Sequence, residues 1–325
     1  MTVRRSRLHR HLLSIAAILC TVAVLFTVLS WWMLNAEITT GENGMVFIPR
    51  NTAVVAAIDS INAKCPLPWP WLVKASARIA MRLRPLHIQS GWYMFTKGDT
   101  QLDVLKALFT GSRRPTVLVT IPEGLTKWEV ASRLSRSLDV DSALILLHAD
   151  TLEGRLFPNT YEFFWREDPL VVVNRMTSEF VKQTNGEHVT DSILILASIV
   201  QAEAASESEM PKIAGVYVNR LAREIHLEAD PTVQYGLRSK QRVTYGHLNN
   251  GHDWNTYIHS GLPPTPICSP GLAAIHAALH PDTHGYLFFV ARGDGSGLHR
   301  FANTFNEHKQ NVQKYRQARS KQSKR

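Results

Sequence analysis

Hydrophobic positions follow three regimes along the chain. Leu12–Leu34 forms one uncharged apolar run. From Met45 to Glu203, apolar residues recur at helical or alternating spacing between polar breaks, and beyond it Gly, Pro, His and Asn interrupt them. The spacing predicts a short strand at Met45–Ile48, helices over Thr52–Asn62 and Trp69–Leu83, and a strand over His87–Phe95. Asp99 or Thr100 caps a helix carrying Leu102, Leu105 and Leu108 on one face, and Gly111 closes it. Thr116–Ile121 alternates as a strand, and Thr126–Glu129 is a capping box for a helix to Leu138. Helices follow over Ser142–Ala149 and Pro169–Gln183, with an aromatic, turn-rich stretch at Gly154–Phe164. Thr190 or Asp191 caps the helix ending at Glu203. Ser208 or Glu209 opens another with the stripe Ile213, Val216, Tyr217 and Leu221. A helix near Gly271–Leu279 and a strand near Tyr286–Val290 complete an α+β pattern. Residues 35–45 read as a polar linker and 317–325 as a disordered basic tail.

Glu203 stands out. Leu196, Ile199 and Val200 precede it by seven, four and three positions, so all four share one helix face. A carboxyl on a core-facing stripe loses water, which favours its neutral form, as a general acid near neutral pH requires. The plainer alternative is a helix-end Glu that reaches solvent.

The 325 residues, 45% hydrophobic and 19% charged, suit roughly two domains. The formal net charge of +9 sits at the ends: Arg4, Arg5, Arg7 and Arg10 at one, and Lys314, Arg316, Arg319, Lys321, Lys324 and Arg325 at the other. The body between is nearly neutral, which argues against a nucleic-acid groove. Leu12–Leu34 would span about 35 Å as a helix, enough to cross a bilayer. Trp31 and Trp32 stand near its far end, arginines precede it, and Glu37 and Glu42 follow. The positive-inside rule then puts residues 1–11 in the cytoplasm and the rest outside the inner (plasma) membrane. A cleaved signal peptide would have a shorter apolar core, so a retained anchor is favoured. Cys20 falls in this span, and Cys65 and Cys268 offer one conceivable bridge but no disulfide framework.

Four clusters follow Glu203: Val218–Leu221; Asp230-Pro231-Thr232-Val233-Gln234-Tyr235-Gly236; Asn255-Thr256-Tyr257 with Gly261–Pro264 and Ile267–Gly271; and Phe289-Val290 with His299, Phe301, Thr304 and Glu307-His308. With Leu156–Tyr161 upstream, they resemble, in order, the YceG-like (MltG) family of endolytic murein transglycosylases. The resemblance is strong over residues 114–313 and weaker over 45–113, which look like that family's LysM-like subdomain. It implies a membrane anchor (12–34), a small LysM-like α/β subdomain (45–113), a mixed α+β catalytic domain (114–313) and a basic tail (314–325).

The activity implied is a lyase that cuts the MurNAc–GlcNAc bond within nascent peptidoglycan glycan strands, without adding water. Glu203 matches the family's catalytic acid. Gln201 stands where the family has a further acidic position. Neutral Glu203 would protonate the leaving oxygen, then act as base on the muramic acid C6 hydroxyl as a 1,6-anhydro ring closes. The nucleophile belongs to the substrate, so neither metal nor cofactor is required. His280 and His284 are four apart, but Pro281 interrupts any shared helix. An ordinary glycosidase needs two flanking carboxylates, and Asp230 is the other nearby candidate. A muramidase-type hydrolase and a non-catalytic peptidoglycan-binding protein remain the alternatives.

Substrate contacts are expected from Asn219, Arg220, Asp230, Thr232, Gln234, Tyr235, Asn255, Thr256 and Tyr257. For Arg220 a surface ion pair is an equal reading, and Asp230 is expected to cap the backbone donors of Thr232 or Val233. His308 is expected to pack beneath the cleft. The partners implied are glycan strands, the membrane and, by resemblance alone, cell-wall synthases.

Overall fold

The computed structural model describes residues 2–41 and 44–322. The chain forms two compact units, Met1–Val117 with Phe164–Arg166, and Leu118–Phe163 with Glu167–Arg325.

The first unit contains α1 (Thr2–Leu34), β1 (Met45–Ile48), α2 (Val54–Lys64), α3 (Pro70–Leu83), β2 (Gly91–Met94) and α4 (Gln101–Thr110). Strands β1 and β2 pair antiparallel, with Met45 opposite Met94 and Ile48 opposite Gly91. Ile48, Ile58, Ile61, Val73, Tyr93 and Leu108 meet in the core. Thr100 caps α4 in a reciprocal box with Asp103, and Gly111 ends it at φ 74°, a conformation that favours glycine.

Within α1, Leu13–Leu34 is long and apolar enough to cross a membrane, and it is not buried in the protein. The segment expected to be a polar linker is, over residues 36–39, part of the folded unit. Ile38 donates to Asp99 O, Thr39 to Pro66 O, and Gln101 N to Ala36 O. Ile38 is itself core. Its alternation with polar neighbours hid one buried anchor in a run too short to register. Residues 42–43 lie outside the described residues.

The second unit holds the end of β3 (Thr116–Thr120), α5 (Lys127–Leu138), α6 (Ser142–Ala149), β4 (Thr160–Phe164), α7 (Pro169–Gln183), α8 (Asp191–Glu203), α9 (Met210–Leu221), α10 (Asp230–Gly236), α11 (Tyr245–Leu248), α12 (Leu272–Leu279), β5 (Phe288–Ala291), β6 (His299–Ala302) and α13 (Phe305–Gln322). Helix α8 is hydrophobic nearly all round because α9 and α12 both pack on it, burying Leu194 to Val200. Thr190 caps it by accepting from Ile193 N, and Thr126 boxes Glu129 to start α5. Strands β5 and β6 form an antiparallel hairpin, Phe288 opposite Ala302 and Ala291 opposite His299.

The expected disorder of residues 317–325 is corrected for 317–322, which continue α13. Lys, Gln, Arg and Ala all favour helix, so propensity extends it without an apolar face. Residues 323–325 lie outside the described residues. Cys65 and Cys268 are both free and buried, each in its own unit's core.

Candidate active site

Glu203 is the last residue of α8, and its helical partners Leu196, Ile199 and Val200 are buried. The residue as a whole is half-buried. Tyr217 Oη, from the facing α9, donates to Glu203 Oε1 at 3.2 Å. Loss of water pushes the Glu203 carboxyl from its ordinary 4.5 up to about 7. The Tyr217 hydrogen bond works against this shift, and the nearby Asp230 carboxylate adds to it. Tyr217 is fully enclosed, its ring edge-on to Phe289 at 5.9 Å, and burial drives its hydroxyl well above the usual range.

Asp230 does not cap Thr232 or Val233 as expected. It is the first residue of α10, with Ala229 at the N-cap and no side-chain cap. Pro231 fits a helix's first turn, where no N–H is needed. The exposed Asp230 carboxylate instead accepts from Tyr257 Oη at 2.7 Å. Glu203, Tyr217, Asp230 and Tyr257 therefore form one electrostatic neighbourhood.

Of the residues expected to touch substrate, several are occupied by the scaffold. Thr232 and Thr256 are buried and share a hydroxyl contact at 2.9 Å. Thr256 Oγ1 also accepts from Ala229 N, and Thr232 Oγ1 donates to Ala229 O, bracing the entry to α10. Asn255 is buried and donates to Leu248 O and Asn250 O. Asn219 donates to His284 O and Tyr286 O. Arg220 is neither a surface pair nor a cleft-lining cation. Only 7% exposed, it donates to Leu287 O at 2.6 Å, His226 O at 2.9 Å and Leu227 O at 3.0 Å. Gln234 stays half-exposed and, with Tyr235, lines a cavity of about 220 Å³ that reaches Ala202, beside Glu203, and Pro231, beside Asp230. His308 stacks on Phe288 at 5.3 Å.

The YceG-like family model matches residues 46–314. The chain belongs to the YceG-like family. It is 29% identical over 267 residues to a Bacillus subtilis endolytic murein transglycosylase, covering 70% of this chain and 73% of that protein. It is 25% identical over 277 residues to a Streptococcus pneumoniae protein of the same name, covering 69% of this chain and 50% of that protein. The chain thus spans about half the length of the latter. A crystal structure of a YceG-like protein from Listeria monocytogenes shares the fold, with TM-score 0.54 at 24% identity over 83% of this chain and 99% of that one.

Within this YceG-like fold, Gln201 Oε1 accepts from Gly271 N at 2.9 Å, at the start of α12. An amide oxygen serves that donor as a carboxylate would, without a second negative charge two residues from Glu203.

Glu153 carries no signal of a site in the sequence. It is 5% exposed and accepts from Lys127 N at 3.0 and 3.2 Å and from Tyr235 Oη at 2.9 Å. The Tyr235 ring lies between Trp128 at 5.1 Å and Trp254 at 5.5 Å. Burial raises the Glu153 carboxyl from 4.5 to about 7. In sequence, Glu153-Gly154 looks like an ordinary turn, and only the convergence of α5, α10 and this loop desolvates it. Because the folded state binds this proton more tightly than the unfolded chain, stability falls as pH rises from about 4.5 to about 7. At about 1.4 kcal/mol per unit, the ionised form costs roughly 3 kcal/mol. Glu153→Gln should therefore be less pH-sensitive, gaining up to about 3 kcal/mol over wild type between pH 5 and pH 8. Denaturant titrations at both pH values measure this, and equal pH slopes would show that Glu153 does not set it.

Proposed function

We propose that this chain is a membrane-anchored lytic transglycosylase that cleaves the MurNAc–GlcNAc bond within peptidoglycan glycan strands. The observation that carries the proposal is the desolvated Glu203 carboxyl at the end of α8, held by Tyr217 and raised to about 7, on a residue that is not fully buried. The names of its Bacillus and Streptococcus relatives support the substrate and bond.

In this reading Tyr217 holds Glu203 Oε1, leaving the other oxygen to deliver a proton to the departing glycosidic oxygen. Positive charge then develops at C1 of the muramyl ring, and the Asp230 carboxylate, oriented by Tyr257, stabilises it electrostatically. Glu203, now ionised, removes the proton from the C6 hydroxyl as that oxygen closes on C1. The proton taken in the second half replaces the one given in the first, so the enzyme returns unchanged and the product ends in 1,6-anhydro-MurNAc. Cleft contacts come from Gln234, Tyr235 and Tyr257, whereas Asn219, Arg220, Thr232, Asn255 and Thr256 act by holding the loops that present them.

Residues 45–113 are proposed as a LysM-like glycan-gripping subdomain, residues 114–313 as the catalytic domain and 314–325 as its basic tail. The arginine-rich segment before the apolar span supports an orientation with residues 1–11 in the cytoplasm and the chain after the span outside the inner membrane. Cell-wall synthases, which extrude the strands this lyase would cut, are proposed partners on that chemistry alone.

Asp230 favours one second reading, since an exposed carboxylate near the acid could activate water as in a muramidase. Product mass separates the two. Digested glycan strands should yield fragments lighter by one water and lacking a reducing end. Reducing muramic acid ends would overturn the lyase in favour of the hydrolase, and intact strands would favour a binding protein.

A further inference from the structure

We propose that α3 is an interfacial helix that lies against anionic lipid headgroups beside the membrane end of α1. The inference rests on the reading of α1 as a membrane span. Three independent features of the first unit point to it.

The end of α1 is fastened to the start of α3. The ring of Trp32 lies 5.8 Å from that of Trp69, the residue before α3. The buried Gln101 side chain bridges the same two segments, donating to Met33 O at 2.9 Å and accepting from Trp69 N at 2.8 Å. A span that ends at Leu34 therefore fixes the depth of Trp69 at the bilayer surface.

Helix α3 also leaves large apolar side chains uncovered. Leu72, Val73 and Ala77 bury one face, while Trp71, Ile79 and Leu83 are 59%, 57% and 79% exposed. Tryptophan and leucine at headgroup depth are what such a surface accommodates.

The charge has one sign. Residues 70–87 include Lys74, Arg78, Arg82 and Arg84 and no Asp or Glu. Lys74 is taken by Asp59 at 2.5 Å, whereas Arg78, Arg82 and Arg84 have no acidic partner among the described residues. Arg78 and Arg82 flank Trp71 and Ile79 on the helix surface, where long stems can lie along lipid and raise the guanidinium to phosphate. Continuity with α1 and this charge favour lipid over wall polymer as the occupant.

The test uses the full chain with Cys20→Ala and Ile79→Cys, the new thiol carrying an environment-sensitive fluorophore. The chain is reconstituted into vesicles of phosphatidylcholine alone or with about one-third phosphatidylglycerol, with and without nitroxide lipids. We expect blue-shifted emission and nitroxide quenching in the anionic vesicles, at least about twofold stronger than in neutral ones and lost in Arg78→Glu/Arg82→Glu. A chain that floats with the vesicles while its probe stays water-exposed in both lipids would overturn the inference and spare the anchor. So would shielding that requires added glycan fragments. A chain that does not float would overturn the anchor itself, and the inference with it.

Discussion

Replacing Glu203 with glutamine is expected to lower glycan-strand cleavage at least about a hundredfold, the usual scale for losing a general acid. Gln keeps the shape and still accepts from Tyr217 through its amide oxygen, so the packing of α8 on α9 should survive. Stability should not fall. The wild-type carboxyl is raised to about 7 by burial, so its ionised form is disfavoured in the fold, and removing it relieves a cost that appears as pH rises from about 4.5 to about 7. The wild-type rate has the opposite use for that same proton. Cleavage should fall with rising pH above about 7, because the acid must be protonated when the bond breaks, and the residual activity of Glu203→Gln should lack that limb. Initial rates on defined glycan strands at several pH values, beside a melting curve, read both effects. More than a tenth of the wild-type rate in a folded Glu203→Gln chain would remove this residue from the mechanism.

The part of this site that periodicity exposes is the part built from one helix. Leu196, Ile199 and Val200 announce the face on which Glu203 sits, and the boxes Thr100–Asp103 and Thr126–Glu129 mark helix starts because their donors and acceptors are three residues apart. What periodicity cannot expose is a partner on another element. Tyr217 reads as one more apolar residue in the α9 stripe until α9 turns back on α8 and puts its hydroxyl on Glu203. Glu153 is desolvated only because Lys127, Tyr235 and their neighbouring rings converge on it from distant positions.

Short elements were hidden for a different reason. Helix α10 has seven residues, too few for a hydrophobic period, and its Asp-Pro start is as common in turns. In β4 the Tyr161 and Phe163 side chains point inward, but aromatic Phe164 beside them blurs the alternation. Polar residues of the site misled in the other direction. Asn219, Thr232, Asn255 and Thr256 have the hydrogen-bonding groups of a sugar cleft, yet each commits at least one of them to backbone. A loop-built cleft needs such internal braces because its backbone has few regular partners.

Arg220 makes the strongest case for these braces, and its loss should cost about 3–5 kcal/mol of stability. One guanidinium joins three segments: α9, which carries it; Leu287, just before β5; and the turn at His226–Glu228 that leads into α10 and Asp230. Its plane also lies over the Phe288 ring at 5.1 Å. Arg220→Leu would fill most of the space but leave the carbonyls of Leu287 and Leu227, both buried residues, without a donor, at about 1–3 kcal/mol each. Lysine cannot reproduce a planar fork that serves several acceptors at once, so Arg220→Lys should recover only part of the loss. The ion pair with Glu228 is the minor component, because Glu228 is about half exposed. Glu228→Gln should therefore change stability by under about 1 kcal/mol. Urea titrations of the three variants test this ordering: a shifted midpoint at constant slope reports stability alone. If Arg220→Leu and Glu228→Gln cost the same small amount, the arginine is a surface pair after all. If Arg220→Leu is costly and, below its melting range, also slows cleavage while Glu228→Gln does neither, the guanidinium holds the turn that presents Asp230 to the sugar.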